Sequence, residues 1–161
     1  MIKYLQYENK YYTQVNNLIK NIMTNELKIN IDIIVKTTSD LKNINEYYIN
    51  NEGNFWLAID NKTNEVVGTV GILKLDKVNA EFKRFYVLKE YRNRSIGYEL
   101  YRISEKFAKD KGFKYLYLAS GKDLKKAHRI YNKNGWEVID KNSCELKIFV
   151  RDEAKIFKKK L

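Results

Sequence analysis

Apolar and polar positions along the chain alternate in two different rhythms, and those rhythms predict its elements. Ile2 to Tyr7 alternates with the period of a strand. Asn9 to about Met23 carries Val15, Leu18, Ile19 and Ile22 at helical spacing, which predicts a first helix. Glu26 to Asn54 has a weaker pattern; a loop and then a second helix near Leu41 to Ile49 are expected there. From Asn54 the pattern sharpens. Phe55 to Ile59 and Val66 to Leu75 predict a hairpin joined by the polar turn Asp60 to Glu65, and Ala80 to Leu88 predicts a third strand. Gly97 to Lys111 places Leu100, Ile103, Phe107 and Ala108 on one helical face, with Gly112 as its stop.

Tyr115 to Ala119 predicts a buried strand, and Asp123 to Asn134 a short helix with Asp123 as N-cap and Gly135 as terminator. Trp136 to Ile139 and Cys144 to Val150 predict two last strands. The order β-α-α-β-β-β-α-β-α-β-β implies an α/β fold of α+β type: a mixed, mostly antiparallel sheet flanked by helices. The 161 residues fit a single domain, 1–161, and no low-complexity linker divides them.

Composition narrows the class. Hydrophobic residues make up 44% of the chain, enough for a folded core. No apolar run approaches the roughly 20 residues of a membrane span, and the N-terminus turns polar too soon for a secretory signal. One cysteine, Cys144, forms no internal disulfide and agrees with a cytoplasmic protein. The lone His128 has no cysteine or second histidine with which to share a metal, so no metal site is expected. A formal net charge of +11 suits an anionic partner such as a phosphate-rich cofactor or nucleic acid. The most basic run, Lys155 to Leu161, is expected to be a solvated end.

The chemistry concentrates between Glu81 and Trp136. A strand ending in Phe85-Tyr86-Val87 runs into Arg92-Asn93-Arg94-Ser95-Ile96-Gly97-Tyr98, where a glycine opens a helix. Unpaired N–H groups at a helix start carry partial positive charge and bind phosphate oxygens. Arg92 to Gly97 resembles the pyrophosphate-binding motif of the GNAT acetyltransferase superfamily, Arg/Gln-x-x-Gly-x-Gly/Ala. Ala127-His128-Arg129-Ile130-Tyr131-Asn132-Lys133-Asn134-Gly135-Trp136 resembles the second signature of that family, Ala-x-x-x-Tyr-x-x-x-Gly-Phe. Two positions depart from the pattern. Ser95 stands where glycine is usual, and Leu124 where many members carry an asparagine that contacts the cofactor arm.

The resemblance implies an N-acetyltransferase that moves acetyl from acetyl-CoA to a primary amine by direct attack in a ternary complex. It implies that residues 85–87 and 92–98 bind the cofactor, with backbone N–H groups near Phe85 to Val87 beside the thioester. It implies that Tyr131 protonates the leaving thiolate; the other reading is a core aromatic at helical spacing. In some members a glutamate at the position of Glu81 is the general base, and a surface glutamate paired with lysine is an equal alternative. Strict alternation puts Glu81, Lys83, Phe85 and Val87 on one face.

Two other classes remain open: a catalytically inactive acetyl-CoA sensor and a basic nucleic-acid binder, the latter without any recognised motif. The acceptor is not readable: the resemblance implies that it is selected by roughly Glu26 to Asn54 and Asp140 to Ser143, which carry no motif, and a homodimer is neither required nor excluded.

Overall fold

The computed structural model describes residues 1–144, 146, 148 and 153–161. Seven strands form one sheet in the order β1-β2-β3-β4-β5-β7-β6. They are β1 (Ile2–Gln6), β2 (Asn54–Asp60), β3 (Glu65–Lys74), β4 (Asn79–Val87), β5 (Tyr115–Gly121), β6 (Glu137–Ile139) and β7 (Ala154–Lys160). The helices are α1 (Tyr12–Asn21), α2 (Ile31–Thr37), α3 (Ile96–Asp110) and α4 (Lys125–Lys133). All pairings are antiparallel except β4 with β5. Element order and sheet type are those the sequence predicts.

The alternation of β2 explains how the sheet is covered. Trp56 and Ala58 point to a core shared with Leu100, Tyr101 and Ala108 of α3 and Tyr131 of α4. Phe55, Leu57 and Ile59 point the other way, into a second core with Val15, Leu18 and Ile19 of α1 and Ile34 of α2. Helices α3 and α4 thus lie on one face, α1 and α2 on the other. Gly112 and Gly135, at φ +86° and +80°, end α3 and α4 in a conformation that costs a Cβ-bearing residue more.

Several expectations need correction. The first helix continues past Met23 through a π-helical turn, Ile22–Glu26. The second helix is α2, earlier than expected; Leu41 to Ile49 instead holds part of a 3-10 turn, Ser39–Lys42, and a π-helical turn, Asn45–Ile49. Asp123 is no N-cap. Helix α4 starts at Lys125, preceded by Leu124, and no side chain caps it.

The expected strand Cys144 to Val150 lies partly outside the described residues; Cys144, Leu146 and Ile148 are not in a strand. The basic run is not a solvated end but β7, which pairs with β5 on one side and β6 on the other. Its Ile156 and Phe157 are buried. Two of its lysines keep their ammonium groups near partners: Lys158 lies over the ring of Tyr115 at 4.2 Å, and Lys159 bonds the Tyr101 hydroxyl at 3.0 Å and pairs with Glu105. Among the described residues no helix is long and apolar enough to cross a membrane.

Two irregularities shape the centre of the sheet. The parallel pairing of β4 and β5 spans only Asn79↔Tyr115 to Glu81↔Tyr117, after which the strands part. Close by, β4 carries a bulge: the register with β3 moves from Gly71↔Lys83 to Thr69↔Tyr86, so one extra residue sits in β4. Arg84 absorbs it with φ +54°.

Candidate active site

The parting of β4 and β5 opens a cleft of about 190 Å³. One wall is β4 from Glu81 to Tyr86, and the opposite wall is Leu118 to Gly121 of β5 with Leu124 and Tyr131. A third side comes from the π-helical turn, α2 and the link between them, through Met23, Leu27, Ile29, Ile33 and Thr37. Glu81 and Tyr131, distant in sequence, therefore face the same space.

The bulge changes which residues share a face. Ala80, Phe82, Phe85 and Val87 all pack into the core under α3, whereas Tyr86 packs on the α1–α2 side. Phe85 and Val87 thus point away from Glu81 and Lys83, against the expectation from strict alternation. Two consecutive residues, Lys83 and Arg84, turn toward the cleft instead. The spacing of Phe82 and Phe85 was a readable signal. They are three apart, so an unbroken strand separates them onto opposite faces, while one extra residue lets their rings meet at 5.1 Å.

Glu81 is 4% exposed, and its nearest cation is Lys83, whose Nζ lies 3.6 Å away. Burial pushes the Glu81 carboxyl above the usual carboxylate range, and the charges of Lys83 and Arg84 pull it back only in part. Arg84 does not face the cleft as a free charge. Its Nε and Nη2 donate to both oxygens of Asp40, and Nη2 also donates to the Thr37 carbonyl at 2.5 Å. The Tyr48 hydroxyl donates to Asp40 as well. Gly71 makes room for that tyrosine: a Cβ there would stand 2.6 Å from the Tyr48 ring. Asp40, Tyr48 and most of the apolar third wall fall within residues 26–54, where the resemblance implies acceptor selection, but no motif singles out any one of them.

Tyr131 is 8% exposed and packs on Phe157 and Trp136 at 5.4 and 6.0 Å between ring centres. Its hydroxyl has no hydrogen-bond partner among the described residues. Burial, with smaller contributions from Tyr86 and Tyr101, raises it well above the ordinary tyrosine value. His128, one turn earlier, faces Ser120 at 3.2 Å and lies tilted against the Phe157 ring at 5.0 Å.

The loop before α3 is left-handed at two positions. Asn93 and Ser95 have φ of +62° and +59°, and the Ser95 side chain does not cap the helix. The first N–H groups of α3, at Ile96, Gly97 and Tyr98, lack intrahelical acceptors and point out of the helix start. A Cβ on Gly97 would meet only ordinary contacts, 3.5 Å to Phe85 and 3.8 Å to Val87, so packing alone does not require glycine. Arg92 is held on the protein: Nε donates to the Val87 carbonyl at 2.9 Å and Nη2 to Glu26 at 2.6 Å. Arg94 lies over the Tyr91 ring at 5.2 Å.

Comparison with known proteins agrees with this geometry. A sequence profile of the Acetyltransferase (GNAT) family matches residues 22–136. A solved acetyltransferase of the GNAT family from Staphylococcus aureus MU50 superposes with a TM-score of 0.89 at 29% identity, covering 100% of this chain and 99% of that one. The PaiA N-acetyltransferase of Thermoplasma acidophilum, solved in complex with coenzyme A, has the same fold at a TM-score of 0.75 and 17% identity, covering 100% and 99%. The "Probable N-acetyltransferase 14" of Xenopus tropicalis is 27% identical over 111 residues, 68% of this chain. The chain spans only about half that relative's length, 53%. With the family profile spanning more than two thirds of the sequence, and a bulged β4 parting from β5 beside a left-handed turn into α3, the chain belongs to the GNAT acetyltransferase family.

Proposed function

We propose that this protein, working as one cytoplasmic domain, transfers acetyl from acetyl-CoA to a primary amine by direct attack. The observation that carries the reading is the shared cleft: a buried carboxylate, Glu81, and a buried phenol, Tyr131, line one space between two strands that part. The coenzyme A seen with the Thermoplasma relative supports the donor.

The residues suit each task. Main-chain N–H groups from Asn93 to Tyr98 bind the pyrophosphate, helped by the positive end of α3 and by Arg94. Beyond Glu81, the side of β4 facing β5 has no strand partner, so backbone groups on that side of Phe85 to Val87, apart from the Val87 carbonyl that Arg92 holds, can take the pantetheine arm as an added strand would be held. The same N–H groups stabilise the oxyanion.

Glu81 takes one proton from the ammonium; its raised carboxyl is closer in basicity to the operating pH than a surface glutamate. The neutral nitrogen attacks the thioester carbon, the N–C bond forms, and the C–S bond breaks as the oxyanion collapses. The thiolate takes the Tyr131 proton. Tyr131 recovers the second amine proton through water, and Glu81 returns its own to solvent, so the turnover releases an amide, free CoA thiol and one proton.

The test is binding followed by turnover. Acetyl-CoA at a hundred times its dissociation constant adds about 2.7 kcal/mol of stability by linkage. DNA or RNA gives no such shift. Thiol release with an amine then separates an enzyme from a sensor. The absence of any thermal shift at millimolar acetyl-CoA overturns the reading.

A further inference from the structure

The amine side of the cleft has an uneven chemistry. Its third wall presents Met23, Leu27, Ile29 and Ile33. The one hydroxyl on that wall, Thr37 Oγ1, donates 2.8 Å to the Ile33 carbonyl and is not turned to a ligand. Among the described lining residues Glu81 is the only carboxylate. Two cations share the lining with it. Arg84 is spent on Asp40, and Lys83 stands 3.6 Å from Glu81.

We infer that the acceptor is a small monoamine carrying an apolar chain, with its ammonium at Glu81 and its chain against the α2 wall. The inference rests on the acetyl-transfer reading and specifies its acceptor. A polyamine or an aminoglycoside needs a second and third carboxylate for its remaining ammonium groups. The cleft offers none, and leaving those charges against aliphatic side chains costs their hydration without return. The whole molecule opposes such ligands as well: 31 lysines and arginines against 20 acidic residues repel a polycation on approach. An apolar monoamine meets both obstacles least: it brings one charge, which shares the buried Glu81 with Lys83, and each methylene covers apolar wall.

The experiment compares thiol release from acetyl-CoA with n-propylamine, n-butylamine, n-pentylamine and n-hexylamine, alongside spermidine and an aminoglycoside. The expected kcat/KM rises about fourfold per added methylene, the equivalent of ~0.8 kcal/mol for each buried CH₂. Hexylamine outruns spermidine.

Ile33→Asp, on the partly exposed face of α2, places a second carboxylate on the wall. It is expected to flatten the alkylamine series and raise spermidine relative to hexylamine, with acetyl-CoA affinity unchanged as the check on folding. A flat series in the unaltered protein, or spermidine ahead of hexylamine, overturns the acceptor class and leaves acetyl transfer standing. No thiol from any amine, with acetyl-CoA bound, overturns transfer itself and this inference with it.

Discussion

Arg84 grips Asp40 with two parallel hydrogen bonds, Nε to Oδ2 at 2.9 Å and Nη2 to Oδ1 at 2.5 Å, while its own backbone sits in the left-handed region. Their side chains are 7% and 5% exposed, so the pair ties the bulge of β4 to the 3-10 turn after α2 almost without solvent. Burial pushes the Asp40 carboxyl up, but the hydrogen bond and charge of Arg84 outweigh it and hold Asp40 below the usual range. Removing one partner leaves an uncompensated buried charge. Arg84→Met is expected to cost about 3–5 kcal/mol in urea denaturation, and Arg84→Met with Asp40→Leu to recover much of it. Because the folded state depresses the Asp40 value, its contribution is full above the unfolded value of 3.8 and fades as pH falls through the folded one. Equal losses in the single and double variants would show that the pair does not act as a unit.

Glu81 has the opposite sign. Its folded value is raised, so at neutral pH the native state carries an ionised carboxylate that would ionise more readily in the unfolded chain. Glu81→Gln is therefore expected to raise the melting temperature at pH 7 and slow turnover. The stability gain disappears below about pH 4.5, the ordinary value, where both states are protonated. The loss of turnover shrinks as pH rises and more amine reaches the site already neutral. A loss that stays constant with pH assigns Glu81 a structural role.

Tyr131→Phe removes one hydroxyl and keeps the ring that packs on Phe157 and Trp136. Folding and acetyl-CoA affinity are expected to hold, while kcat falls about a hundredfold to ten-thousandfold, the usual worth of a general acid. The KM for acetyl-CoA moves little, because the bond to sulfur is made in the transition state. The raised value of Tyr131 keeps it protonated through neutral and mildly alkaline pH, so the acid contributes no falling limb to the kcat profile there. Full activity in the variant would make Tyr131 a core aromatic and nothing more.

Ser95 pays for a left-handed backbone that glycine adopts freely. Ser95→Gly is expected to stabilise the protein by about 1 kcal/mol and to preserve or tighten CoA binding. Gly97→Glu, which sets a carboxylate where phosphate is to lie, is expected to abolish binding in the same titration. If Ser95→Gly weakens CoA binding strongly, the hydroxyl is a phosphate ligand.

The sequence made the frame legible because period alone separates Trp56 and Ala58 from Phe55, Leu57 and Ile59, and because Arg92 to Gly97 and Ala127 to Trp136 are local words. It hid features that depend on distant partners. The bulge at Arg84 uses a residue with no turn signature, held in place by Asp40 forty-four positions away. Strand β7 reads as a charged tail, because the partners of Lys158 and Lys159, the rings of Tyr115 and Tyr117, the hydroxyl of Tyr101 and the carboxylate of Glu105, are distant in sequence. Most of the wall from Met23 to Ile33 falls where the resemblance implies acceptor selection, but no motif names its residues; they line a cleft because β4 and β5 part beneath them.

That parting gives the sheet more edges than its strand count suggests. Besides its outer strands β1 and β6, the sheet has two further edges in its middle, where β4 and β5 lose each other after Glu81 and Tyr117. Unpaired strand edges are templates on which other chains assemble. On the proposed reading a donor arm laid along β4 closes one of them, and acetyl-CoA-saturated protein is then expected to resist self-association on storage and warming longer than the bare chain.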